Sequence, residues 1–114
     1  METMETVDGY RRIIRDLLHE YAQQRPSVGD VRVEVIIDAE QDHYELIFAG
    51  WTRHYRVHGS VIHIDIRDGK IWIESDGTEE GIANRLVEAG IPPEQIVLAY
   101  KPPSMRPHTG FAVA

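Results

Sequence analysis

The chain has no cysteine, only two lysines and no excess of positive charge, and none of its apolar runs is long. Each absence excludes something. Without cysteine there is no disulfide scaffold and no thiolate chemistry, and the composition suits a reducing, cytoplasmic setting. No apolar stretch approaches the roughly 18 residues of a membrane span. The polar, acidic start Met-Glu-Thr-Met-Glu-Thr is unlike a secretory signal. With 12 basic against 19 acidic side chains the formal charge is −7. That balance counts against gripping nucleic acid over a broad surface, which needs clustered Lys and Arg.

What is present reads as an ordinary globular chain. Its 114 residues suit a single domain over 1–114, which should bury roughly 65% of its unfolded surface. Tyr10, Ile13, Ile14, Leu17, Leu18 and Tyr21 recur at helical spacing and form one apolar stripe. Thr3 or Thr6 is expected to cap this helix. Arg25-Pro26 is expected to end it, because a residue before proline is pushed out of the helical region, and a loop follows over 27–30.

From Val31 the period becomes two. Val31, Val33, Val35 and Ile37 share one face, and Tyr44, Leu46 and Phe48 share the next. Gly50-Trp51-Thr52 reads as the turn into a long third strand. The apolar phase of that strand moves from Tyr55 and Val57 to Ile62, Ile64 and Ile66, which predicts a β-bulge near Gly59-Ser60. Asp68-Gly69 predicts a two-residue hairpin into the strand 70–74. Thr78 is expected to cap a second helix carrying Ile82, Ala83, Leu86 and Val87, with Gly90 as its stop. A helical turn at 92–95 and a short strand from Ile96 complete the pattern. The fold class is α+β, an antiparallel β-meander of about four to five strands with helices packed on one face.

The sheet face opposite the helices then carries Arg32, Glu34, Glu45, His54, Arg56, His58, His63, Asp65, Lys70, Trp72 and Glu74. A solvated face of cross-strand ion pairs is the plainer reading. A protein-binding face is the sharper one, since Trp and Arg are favoured at interface hot spots. His58, His63 and Asp65 are candidate metal ligands, because 63 and 65 project to one side of a strand. Joining His58 to them requires the bulge to turn it inward, so satisfied or exposed histidines are the better reading, and no cofactor is expected. Asp68-Gly69-Lys70 superficially matches a nuclease pattern, but the hairpin turn would aim its acid away from any metal. No phosphate-cradling loop or nucleophile elbow is present, so the chain is not expected to be an enzyme. Arg11, Arg12 and Arg15 form a basic patch on the first helix. It reads as a solvated face with Asp8 pairing to Arg11 or Arg12, or, more sharply, as a donor patch for carboxylates or phosphate.

Several blocks together resemble the XisI family, described as fdxN-element excision controlling factors. They are Val61-Ile62-His63-Ile64-Asp65-Ile66, Gly69-Lys70-Ile71-Trp72-Ile73, Asp76-Gly77-Thr78-Glu79 and Gly81-Ile82-Ala83. Asp42-His43-Tyr44, Gly50-Trp51 and the run from Thr109 to Ala114 are similar to the family's other blocks. The resemblance implies a cyanobacterial accessory protein that works beside a XisH-type protein and a site-specific recombinase. The process it implies is the excision of a DNA element during heterocyst differentiation. It carries over no catalytic residues. The expected role is therefore regulatory, through a XisH-type partner or a second copy of the chain, with nucleic acid engaged only indirectly. Trp51, Arg56, His58, His63, Asp65 and Trp72 are the expected contacts. Direct DNA contact through Arg11, Arg12 and Arg15 is the alternative, and a small metal-dependent hydrolase or nuclease is the third reading.

Overall fold

A computed structural model describes residues 4–24 and 29–114. The Thr3 cap, the stop at Arg25-Pro26 and residues 27–28 of the expected loop fall outside those residues, while Asp30 already belongs to the first strand. Helix α1 spans Met4–Gln24, so Thr6 lies inside its first turns rather than capping it. Its stripe does what the spacing requires: Tyr10, Ile14, Leu17 and Leu18 are buried, while Ile13 and Tyr21 pack at the margin.

The sheet is ordered β1-β2-β3-β4-β5, from β1 (Asp30–Asp38), β2 (His43–Trp51), β3 (Arg56–Arg67), β4 (Lys70–Asp76) and β5 (Ile96–Leu98). The first four form the expected antiparallel meander. The fifth departs from it. β5 lies parallel to β4, because the chain crosses over through α2 (Ile82–Glu88) instead of turning back. The hairpin at Asp68-Gly69 has both residues at positive φ, 52° and 75°, as a type I′ turn requires.

The predicted bulge is present one step along. Ile47 pairs with Ser60 while Leu46 pairs with Ile62, leaving Val61 as the extra residue. It returns Ile62, Ile64 and Ile66 to the core. A second register shift, between His63 and Ile64, leaves Glu74 as the extra residue of β4.

Gly50-Trp51 is not a turn. Both belong to β2, and the reversal falls at 52–55, where Thr52 Oγ1 accepts the backbone N–H groups of His54 and Tyr55. Gly50 is required for a different reason: a Cβ there would lie 2.0 Å from the Asp30 carbonyl oxygen on the paired strand.

Thr78 is not the N-cap of α2. Gly81 holds that position; Thr78 Oγ1 accepts its N–H at 3.2 Å, while Asp76 Oδ2 accepts the Ile82 N–H at 2.7 Å and its Oδ1 the Thr78 N–H. Gly90, at φ 107°, closes the helix as expected, with the Ile91 N–H reaching back to the Leu86 carbonyl. Ile82, Ala83 and Leu86 join the α1 stripe and the inward residues of β2–β5 in one core. Both described helices therefore cover one face and leave the other open. Among the described residues no helix is long and apolar enough to cross a membrane.

Candidate functional site

The open face is organised by register. Asp38 pairs with His43, His43 with Asp65, Asp65 with Trp72, and Trp72 with Val97. Cross-strand partners lie on the same side of a sheet, so these residues form one row across five strands. At its centre Asp65 is the only polar or charged residue buried among the described residues. Its Oδ1 meets His43 Nδ1 at 2.7 Å and His63 Nε2 at 2.9 Å. His63 reaches it from two positions along β3 and His43 from the neighbouring strand. Hydrogen bonding to the Asp65 carboxylate, reinforced by its charge, raises the pKa of His43. One histidine nitrogen from each ring and the Asp65 oxygen lie within 4.8 Å of one another.

The trio weighed from the sequence is therefore corrected at one member. His58 pairs with Ala49, whereas His63 pairs with Glu45. Four residues of strand, about 13 Å, separate the two pairs. The bulge restores the core phase without folding His58 toward His63, and His43 takes its place. His43 is not visible as a member of the group in the sequence, because it lies 22 residues from Asp65. The available signal was the β1–β2 turn, which fixes the register of β2 and leaves His43 as its first residue.

The other candidate contacts divide between two ends of the face. Trp51 pairs with Arg56, whose guanidinium lies 5.8 Å from the indole centroid and donates to the Gly50 carbonyl at 3.3 Å. Trp51 is 56% exposed and Tyr55, at the adjoining turn, 62%. Trp72 lies at the other end of the same face and is already partnered within the chain. Arg67 stacks on it at 4.0 Å, Arg106 lies 5.7 Å away, and its Nε1 is buried without a hydrogen-bond partner. Arg106 also donates to the carbonyls of Ala99, Lys101 and Val113. The tail thus docks on its own sheet edge, where Ala112 bridges to Val97.

Arg11, Arg12 and Arg15 line a shallow groove with Asp8, Ile37, Ala39 and Tyr44. Arg11 is already committed. It bonds Asp8 and clamps Asp42 through Nε at 2.8 Å and Nη2 at 3.0 Å. Its guanidinium holds the Asp42 carboxyl below the usual carboxylate range, with the Tyr44 hydroxyl also donating to it. Arg15 has only a loose 3.9 Å contact with Asp16, and Arg12 is exposed.

The family model for the XisI protein matches residues 4–113. A crystal structure of a XisI-like protein from Anabaena variabilis superposes with a TM-score of 0.89 at 39% identity, covering 96% of this chain and 99% of that one. The fdxN element excision controlling factor XisI from the same organism gives a TM-score of 0.84 at 35% identity, with the same coverage. No curated protein matches the chain.

Proposed function

The chain belongs to the XisI family, and from that premise we propose that it is a regulatory accessory protein controlling site-specific DNA excision by binding another protein. The partner in this reading is a XisH-type protein, and the setting is element excision during heterocyst differentiation. One observation carries the protein-binding part. Trp51 and Tyr55 stand more than half exposed together at the β2–β3 end, beside Arg56. Large aromatics flanked by arginine are the residue types that anchor interfaces when buried by a partner.

Direct DNA contact has less support. Of the three helix arginines, Arg11 spends its charge on Asp8 and Asp42, and the chain as a whole carries −7.

Co-expression with a tagged XisH-type protein tests the reading. The chain is expected to co-elute, and Trp51→Ser with Tyr55→Ser to weaken retention about tenfold or more. Failure to co-elute, or co-elution indifferent to the double substitution, would remove this interface. A gel shift of element-end DNA by the chain alone, abolished by Arg12→Glu, would favour direct binding instead.

A further inference from the structure

We propose that His43, His63 and Asp65 form a binding site for a single divalent transition-metal ion, with zinc as the representative occupant, on the open face of the sheet. The donor set is two imidazole nitrogens and one carboxylate oxygen, which suits zinc and its neighbours rather than magnesium or calcium.

The geometry is close to what an ion needs. Metal–ligand bonds of about 2.0–2.2 Å at tetrahedral angles place donor atoms roughly 3.4 Å apart. The two nitrogens already contact Asp65 Oδ1 at 2.7 and 2.9 Å, and all three donors lie within 4.8 Å of one another. Opening the two contacts by roughly 0.5–0.7 Å makes room for the ion, a movement within the reach of side-chain rotation. The ligands sit on paired strands of a sheet, His43 directly opposite Asp65, so the backbone presents them with little freedom left to lose.

Charge points the same way. A buried carboxylate needs a cation beside it. Asp65 has two imidazole nitrogens beside it, where Asp42 has an arginine. Exposure falls from His43 (52%) through His63 (34%) to Asp65 (11%), so the site is anchored below and open above. Three protein ligands leave at least one coordination position for water or an incoming ligand. The site does not depend on the protein-binding reading, because its ligands all come from this chain and the exposed Trp51 lies at the far end of β2.

Calorimetric titration of the full, untagged chain with zinc chloride tests the proposal, followed by cobalt(II) titration read by visible absorption. One equivalent should bind, and cobalt should give the d–d bands of a low-coordinate nitrogen–oxygen site. His43→Gln and His63→Gln should each weaken binding about tenfold or more, while His58→Gln should leave it unchanged. Zinc binding indifferent to both ligand substitutions, or no binding to the wild-type chain, would overturn the site. His43 is exposed, so His43→Gln remains decisive even where Asp65→Asn impairs folding; circular dichroism of the metal-free variants checks that each is folded.

Discussion

Asp42 and Asp65 are two similarly covered carboxylates on opposite sides of the same sheet, with side chains 16% and 11% exposed. They differ in what answers their charge. Asp42 faces a permanent cation: Arg11 from α1 grips it with two nitrogens while Tyr44 donates from below. This pair fastens the helix to the β1–β2 turn. Asp65 faces two imidazole nitrogens instead, a type of group that also serves as a metal ligand. A guanidinium makes a lock because its proton never leaves. Imidazoles make a site whose occupant can change. The helix-covered side thus carries a fixed ion pair, and the open side carries the proposed metal site.

Substitutions can break that contrast, and the largest effect belongs to the covered side. Ile64→Ala should cost about 3–4 kcal/mol in denaturant unfolding, since Ile64 is 1% exposed in the centre of the core. Ile36→Ala on the open side, where Ile36 is 45% exposed, should cost less than about 0.5 kcal/mol. Comparable losses at both would mean that the open face is packed by something other than solvent. Next in size is Gly50→Ala, expected to cost about 2 kcal/mol or more by forcing β1 away from β2, as chemical denaturation would register.

Asp42→Asn should lower the melting temperature by a few degrees, and its pH dependence has a definite sign. Arg11 depresses the Asp42 pKa from its ordinary 3.8. The folded form therefore holds the carboxylate more firmly than the unfolded chain does. This stability is complete above the ordinary value and disappears as pH falls through the depressed one. The difference in melting temperature between wild type and Asp42→Asn should thus shrink on acidification below about pH 4. A difference constant across that range would show that the Arg11 clamp does not act through charge.

The smallest effect is expected at His43→Gln without metal, a shift in melting temperature of about 1 °C or less. With zinc present, the wild type should be stabilised and the variant should not, by mass action on the folded state. Equal responses would remove the distinction between the two carboxylates.

Much of this architecture is legible in local pattern. The α1 stripe, the alternation along β1 and β2, the phase change in β3 and the Asp68-Gly69 turn each depend on residues close together in the chain, where side-chain period and backbone preference act directly. The errors fall where a distant partner decides. Thr78 has the ordinary capping chemistry, yet its hydroxyl takes the Gly81 N–H and Asp76, at the end of β4, takes that of Ile82. Gly50 resembles a turn residue until the paired Asp30 carbonyl shows that what it supplies is space. β5 reads as one more meander strand, but the crossover through α2 makes it parallel.

The candidate site divides in the same way. His63 and Asp65 are visible as a pair because they are two residues apart on one strand. The sequence by itself determined the elements, the inward and outward faces, the acidic charge and the supply of histidines, all of which follow from composition and short-range period. Only the tertiary structure decided that His43 rather than His58 completes the trio, that Arg11 is bound to Asp42, and that Trp72 lies beneath Arg67. Those outcomes depend on strand register, bulge position and helix docking, which the whole core sets at once, and a shift of one residue would carry a strand side chain such as His43 or Trp72 to the other face.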